Sequence, residues 1–398
     1  MDVAVVDEGR AVATAAGIGA LMALLIDDGH ELIGPTVRDD AIVIEPINGV
    51  DDLPRGWGDE QAPGHYRLRQ RGDSALFGFA SPAGGWKRYL FPAHSVLWRA
   101  RRDGQSVAIE AGEDQVPRRA FFGIRGCDLA AIAIQDRVFL SRANPDPIYA
   151  ARRQRLFMVA VDCHEPAATC FCDSMGTGPA PPLGQAGSDL VLTELDPGDA
   201  ARHRFLLRPQ TASGTVVLHR LILAGAASAA TDADLAAAQA SHAASVARIS
   251  RRVQTRNLAE LLQSTASESV WEEIAAQCLS CGNCTMACPT CFCSDIDDLP
   301  DVTTHAQERV RVWASCFERD HSYLHGGAIR QSIKSRYRQW LTHKFSTWWD
   351  QFGTSGCVGC GRCMTWCPAA IDITANLAVV RDAAQLDPAA SSAVTWES

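Results

Sequence analysis

The sequence predicts an α+β, or α/β, N-terminal domain over residues 1–225 and a helical linker over 226–266. A helical C-terminal domain over 267–385 and a tail, 386–398, follow. Three observations carry this division. Short β-branched and aromatic runs, separated by Gly/Pro/Asp clusters, fill the first half. An alanine-rich stretch with helical spacing begins near Thr231. The last third holds two near-copies of one cysteine run, each flanked by segments of helical period.

In the first half, Ala41-Ile-Val-Ile44, Ala75-Leu-Phe-Gly-Phe79 and Leu156-Phe-Met-Val-Ala-Val161 read as strands, with loops at 34–40, 49–64 and 80–85. Asp128 to Ile134 reads as a helix opening just after Gly126-Cys127. The uncharged run Ala11–Ile26 reads as a buried N-terminal helix. It is short for a membrane span, and Asp2, Asp7 and Glu8 outnumber Arg10 where a secretory signal would be basic. A soluble, cytoplasmic protein is therefore expected.

From Thr231 to about Gln263, Val246, Ile249 and Val253 have helical spacing, and Leu258, Leu261 and Leu262 continue on a shifted face. Arg248, Arg251, Arg252 and Arg256 read as the solvated face of that helix. Ser269 and Glu272 have the spacing of a capping box opening the helix that delivers Cys278. Ile329 to Trp349 reads as a helix ending near Gly353, with Arg330, Lys334, Arg336, Arg338 and Lys344 on a solvated face or, as the alternative, near the clusters as cations that stabilise the reduced state. Seven of the ten tryptophans fall in this last third, Trp271 to Trp396, as core packing or as an apolar shell.

The two runs are Cys278-Leu-Ser-Cys281-Gly-Asn-Cys284-Thr-Met-Ala-Cys288-Pro289 and Cys357-Val-Gly-Cys360-Gly-Arg-Cys363-Met-Thr-Trp-Cys367-Pro368. Both read C-x2-C-x2-C-x3-C-P, the spacing that holds a [4Fe-4S] cluster on three close thiolates and lends the fourth to a neighbouring cluster. Cys278, Cys281, Cys284 and Cys367 are thus assigned to one cubane. Cys357, Cys360, Cys363 and Cys288 are assigned to the other. Gly282, Gly359 and Gly361 suit the tight curl of such loops. Helices entering and leaving each loop point to an α-helical ferredoxin-like architecture. Structural zinc is the alternative, since C-x2-C pairs also bind zinc, though zinc requires neither the third x2 cysteine nor the proline.

Four further cysteines are Cys127 and Cys163, on loops where strands end, and Cys170 and Cys172, a pair that cannot both face one core if extended; four thiolates close a cluster or a zinc site. An additional iron–sulfur cluster is the favoured reading; four buried thiols are the alternative. Cys291, Cys293 and Cys316 remain undecided, although Thr290-Cys-Phe-Cys293 echoes Thr169-Cys-Phe-Cys172.

Lys+Arg 37 against Asp+Glu 46 leaves a net charge of −9, which argues against a nucleic-acid partner. Fifteen cysteines at ligand spacing fit a reducing compartment. No G-x-G-x-x-G follows a strand, no Walker-type loop is present, and no Ser/His/Asp arrangement stands out, so no residue is assigned a catalytic role.

The chain resembles the beta subunit of cytoplasmic NAD(P)-linked [NiFe] hydrogenases (sulfhydrogenases) and its relative, the A component of anaerobic sulfite reductase. The strings carrying the resemblance include Gly34-Pro35-Thr-Val-Arg38, Pro63-Gly64-His-Tyr66-Arg67-Leu68, Trp86-Lys87-Arg-Tyr-Leu-Phe91-Pro92, Gly123-Ile-Arg-Gly-Cys127-Asp128 and Cys170-Phe-Cys172-Asp-Ser-Met-Gly176. In the last third they include Cys278 to Cys293, Trp313-Ala-Ser-Cys316-Phe317, Arg336-Tyr337-Arg338 and Cys357 to Asp372. Gly85 stands where Ser is expected. The resemblance implies a redox subunit of a heteromeric complex, relaying single electrons rather than catalysing the terminal reaction. FAD and NAD(P) would sit on a flavin/NAD(P)-binding reductase partner. The other partners would be [NiFe] hydrogenase small and large subunits, or a sirohaem sulfite reductase subunit, with no membrane involved. A different alternative makes the chain itself a disulfide or sulfur reductase, through its T-C-F-C pairs with Cys127, Cys163 or Cys316.

Overall fold

The computed structural model describes residues 9–104, 106–112, 116–141, 143–181, 187–264, 268–300 and 306–386. Asp2, Asp7, Glu8, Trp396 and nearly all of the tail lie outside the described residues. The strands are β1 (Ala11–Ala13), β2 (Glu31–Arg38), β3 (Ala41–Pro46), β4 (Trp57–Ala62), β5 (His65–Gln70), β6 (His94–Asp103) and β7 (Ser106–Ala111). They continue with β8 (Arg119–Ile124), β9 (Leu156–Val161), β10 (Leu190–Leu195), β11 (Arg204–Pro209), β12 (Ser228–Ala229), β13 (Ser294–Pro300), β14 (Ala306–Trp313) and a short pair, β15 (Tyr323–Leu324) and β16 (Gly327–Ala328).

Eight of them form one mixed sheet in the order β12-β1-β11-β10-β9-β8-β2-β3. Its centre, β10-β9-β8-β2, is parallel, and antiparallel strands flank it on both sides. The central strands are apolar at nearly every position because both faces are covered. Ala120, Phe122, Val159, Val161, Leu190 and Leu192 point to one side, against helices Ala15–Asp27 and Ala212–Leu223. Phe121, Met158, Ala160 and Val191 point to the other, against helix Gly126–Phe139. The alternation follows from the period of two in a strand.

Several local expectations are corrected. The run Ala11–Ile26 is not one helix: Ala11–Ala13 pairs with β11, and Thr14 then caps helix Ala15–Asp27 by accepting the Gly17 N–H. Ala75–Phe79 is not a strand. It is buried on all sides, and side chains replace a neighbouring strand as hydrogen-bond partners. The Leu76 and Phe77 N–H groups donate to the Glu194 carboxylate at 2.6 and 3.0 Å. The Phe77 and Phe79 carbonyls accept from Arg125 at 2.8 and 2.9 Å. The helix expected from Thr231 to Gln263 is two helices, Asp232–Arg248 and Leu258–Ser264. Between them runs an extended strap, 249–257, with Arg251 held by the Ala168 carbonyl and Asp372. Arg251 is thus a tie between segments rather than a solvated side chain. Ser269 lies inside helix Glu268–Ala276 and not at its cap.

The last third is not wholly helical. Strands β13 and β14 project from between the cysteine runs and complete a four-stranded antiparallel sheet, β13-β14-β6-β7, with strands from the N-terminal half. Helices Leu258–Ser264, Glu268–Ala276, Ile333–Thr342 and Ile373–Leu386 pack a second core, including Trp271, Phe317, Tyr337, Trp340 and Leu377. The expected helix 329–349 begins instead at Ile333, capped by Ser332, and loosens into a π-helical turn over His343–Thr347. No helix among the described residues is long and apolar enough to cross a membrane.

Candidate metal centre

Each cysteine run begins as a loop and closes as one turn of helix, Asn283–Met286 in the first and Arg362–Thr365 in the second. The left-handed residue before each turn is a glycine, Gly282 at φ +77° and Gly361 at φ +75°. A Cβ at Gly361 would stand 2.4 Å from the Thr169 carbonyl oxygen, so only glycine lets the second run seat against Thr169-Cys-Phe-Cys172. Gly359 is equally confined, its missing Cβ lying 2.7 Å from the Cys172 backbone.

The fourth cysteine of each run faces the other run. Cys278, Cys281, Cys284 and Cys367 line one cavity, which Cys363 of the second run also borders, with Phe317, Tyr337 and Trp340 as apolar wall. Cys288 lies within electrostatic range of Cys357, Cys360 and Cys363. Backbone N–H groups point at sulfur in both sets: Ser280 to Cys278 at 3.3 Å, Ile371 to Cys367 at 3.4 Å, and Gly359 to Cys357 at 3.4 Å. Such donors favour the charged sulfur over the neutral one.

Burial works the other way. It pushes the Cys284 and Cys363 thiols well above their ordinary range, and Cys357 up to about 12. Thiolates at these positions therefore require cationic partners, which iron supplies. The structure adds two fixed cations. Lys344, on the π-helical turn, is 3 % exposed and donates to Cys288 Sγ at 3.2 Å, Thr290 Oγ1 at 3.1 Å and the Gly356 carbonyl at 3.2 Å. Arg362 is fully buried, donating to the Pro82 carbonyl at 2.7 Å and to Asp128 at 3.0 Å. Arg362 Nη1 and the indole N–H of Trp340 are buried without a partner. Donors left open beside sulfur fit an anionic sulfide-bearing cluster. The solvated face expected for Lys344 and Arg336 is thereby corrected. Both are buried, and Arg336 donates to Ser280 Oγ and to the Arg330 and Gln331 carbonyls.

The N-terminal cysteines are brought together as well. Cys127 and Cys163 sit at the carboxyl ends of the adjacent parallel strands β8 and β9, where ligands gather in such sheets. A bulge at Gly123 (φ +87°) turns the chain into Arg125-Gly126-Cys127. Arg125 pins that turn by donating to the Asp162, Phe77 and Phe79 carbonyls. Cys170 and Cys172 are buried beside Cys163 and Cys360, and Cys170 Sγ contacts the Cys360 carbonyl at 3.7 Å. Ser81 Oγ lies 3.4 Å from Cys127 Sγ. The thiol groups thus run from the first set, through the second, to the N-terminal set.

Sequence reasoning missed Lys87, Arg125, Arg362 and Ser81, which carry no ligand spacing. Only the position of Arg362, between Cys360 and Cys363, could have signalled a role. All fifteen cysteines are free of disulfides. Among the described residues, no three His, Cys, Asp or Glu side chains close on a point as tightly as a single metal ion requires.

Residues 277–371 match a family described as a 4Fe-4S dicluster domain. Over 270 residues the chain is 33% identical to the sulfhydrogenase 2 subunit beta of Pyrococcus furiosus, covering 66% of this chain and 73% of that protein. Both findings support an iron–sulfur electron-transfer role within a multi-subunit complex. Shared identity on that scale, with the dicluster match, places the chain in the sulfhydrogenase beta subunit family.

Proposed function

We propose that this chain is the iron–sulfur relay of a cytoplasmic heteromeric hydrogenase. It carries single electrons between [NiFe] catalytic subunits and a flavin/NAD(P)-binding partner. Cys278, Cys281, Cys284 and Cys367 would hold one [4Fe-4S] cluster, and Cys288, Cys357, Cys360 and Cys363 a second. Cys127, Cys163, Cys170 and Cys172 would hold a third. The observation that carries the reading is that Cys367 lines a cavity with the first run and Cys288 lies beside the second; fourth cysteines exchanged in this way would tie two redox groups into one rigid unit. When bound, such clusters supply one-electron transfer without rearranging bonds in a substrate.

The protein's own groups then set the conditions. Trp340, Tyr337 and Phe317 exclude water from the first set. Lys344 and the backbone donors stabilise added negative charge at the second. Cys281 is exposed and Leu279 beside it is 66 % exposed, so the first set is the one that reaches the surface for a partner. The N-terminal set, beside Cys360, forms the inner end of the path.

Anaerobic purification of the assembled complex, with iron and acid-labile sulfide counts and low-temperature EPR, tests this. The three sets named above are together expected to hold about twelve irons, at four per cubane. Colourless protein holding zinc and no sulfide would overturn the reading. Purified complex whose hydrogen-dependent NAD(P) reduction survives Cys281→Ala and Cys360→Ala undiminished would remove the relay role.

A further inference from the structure

Two buried lysines, Lys87 and Lys344, are electrostatic neighbours of one another. Lys87 is 5 % exposed; its Nζ lies 3.7 Å above the Trp313 ring and 3.3 Å from the Cys291 carbonyl. Lys344 approaches from the π-helical turn, bonded to Thr290 and Cys288. None of the hydrogen bonds or ion pairs described for either lysine involves a carboxylate. A buried ammonium without a counter-charge is costly, so anions belong between them.

Besides Cys288, to which Lys344 Nζ donates at 3.2 Å, the three thiols left over lie in the field of these cations. Cys293 ends its segment just before β13, and the β13–β14 hairpin returns the chain to the same point. There Ser294 pairs with Trp313, and the Ala314 N–H donates to the Cys293 carbonyl at 3.0 Å. Cys316 follows two residues later and is an electrostatic neighbour of Cys293, Lys344 and Cys284. Cys291 contacts Cys288 and lies in the field of both lysines.

The setting repeats that of the N-terminal thiols. Ser315-Cys316-Phe317 covers the left-handed Gly282 of the first run, whose missing Cβ lies 3.0 Å from Ser315 Oγ. Thr169-Cys170-Phe171 covers Gly361 of the second run in the same way. Phe317 and Phe171 both enter the helical core. Each cysteine run is therefore flanked by its own outer group of thiols, one on the N-terminal sheet and one at the base of the β13–β14 hairpin.

We propose that Cys291, Cys293 and Cys316 bind an additional iron–sulfur cluster through three protein thiolates, seated on the ammonium groups of Lys87 and Lys344. With three protein ligands, one iron is left for an outside ligand, which distinguishes this centre from clusters closed by four cysteines. The site lies beside Cys284 and Cys288, so it branches from the junction of the two runs and is not on the line towards Cys127. The cluster chemistry is borrowed from the reading above, but the residues are separate.

The test uses the full chain in its purified complex, made anaerobically. Cys293→Ser/Cys316→Ser should lose about four irons per chain and one EPR signal, while the remaining signals persist. Cyanide added to wild type should shift that same signal and leave the others in place. Lys87→Met should retain the iron and lower the midpoint potential of that signal alone. Unchanged iron content in the double variant, or a wild-type spectrum indifferent to cyanide, would overturn the proposal. Failure of the eight-cysteine assignment would appear separately, as retention of every signal in Cys281→Ser and Cys367→Ser.

Discussion

Replacing Lys344 by methionine removes one positive charge from beside the second thiol set while keeping the length and apolar stem of the side chain. Burial alone would strip the Lys344 proton, but the thiols of Cys288, Cys291 and Cys357 outweigh it and raise its pKa well above the ordinary lysine value. It is a fixed cation at any working pH. Its Nζ lies 3.2 Å from Cys288 Sγ. At that separation and an effective dielectric constant of about 20, a full charge is worth about 5 kcal/mol. An electron added to the metal group lies beyond the sulfur and is shared among several atoms, so about half of that, ~2–3 kcal/mol, reaches it. For a one-electron couple this is about 100 mV. The Lys344→Met complex should therefore show the EPR-detected midpoint potential of the second set lowered by about 90–130 mV in a dithionite titration. Lys334→Met, which removes a lysine reaching the exposed Glu272 at 3.0 Å, serves as control and should move none. If every midpoint stays within about 20 mV of wild type, or one rises, Lys344 does not stabilise the reduced centre and the reasoning fails.

Gly361→Ala should cost about 3 kcal/mol, combining left-handed strain with the 2.4 Å collision against the Thr169 carbonyl; a lowered unfolding midpoint and lost iron check it. Glu194→Ala strands two buried N–H groups, those of Leu76 and Phe77, and removes the carboxylate from His203 Nε2 at 2.8 Å. Urea unfolding should show a loss of about 4 kcal/mol, with Glu194→Gln losing roughly half as much. Burial acts to raise the pKa of Asp372, but hydrogen bonds from Thr374 and the charge of Arg251 outweigh it and hold the carboxyl below its ordinary value. The folded state then binds fewer protons than the unfolded chain. The stabilisation is complete above about pH 4 and is lost as pH falls through the folded pKa. Asp372→Asn should flatten stability against pH in that window, measured by chemical denaturation.

The ligand chemistry was legible in the sequence because thiol spacing is local. Three cysteines at x2 and a fourth before proline specify a loop that can wrap a cluster corner, whatever surrounds it. Strands such as Leu156–Val161 were legible for a similar reason, since a short apolar run bounded by turns has few other uses. What failed was local pattern under tertiary control. Ala75–Phe79 has a strand's composition, yet Glu194 and Arg125, distant in sequence, take the hydrogen bonds a neighbouring strand would have made. Lys344 has a solvated residue's spacing on a regular helix, and the π-helical turn places it inside.

By itself, the chain's order of residues determined the spacing of the thiols and the C-x2-C-x2-C-x3-C-P runs they form. Only the tertiary structure decided which thiols became neighbours and which cations face them. The seating of Cys170 against Cys360, and the closing of Cys293 on Cys316, depend on glycines that let two backbones approach and on a sheet joining residues two hundred positions apart. Such contacts leave no period in a sequence, because the physical constraint acts across space between segments that are each ordinary when read alone.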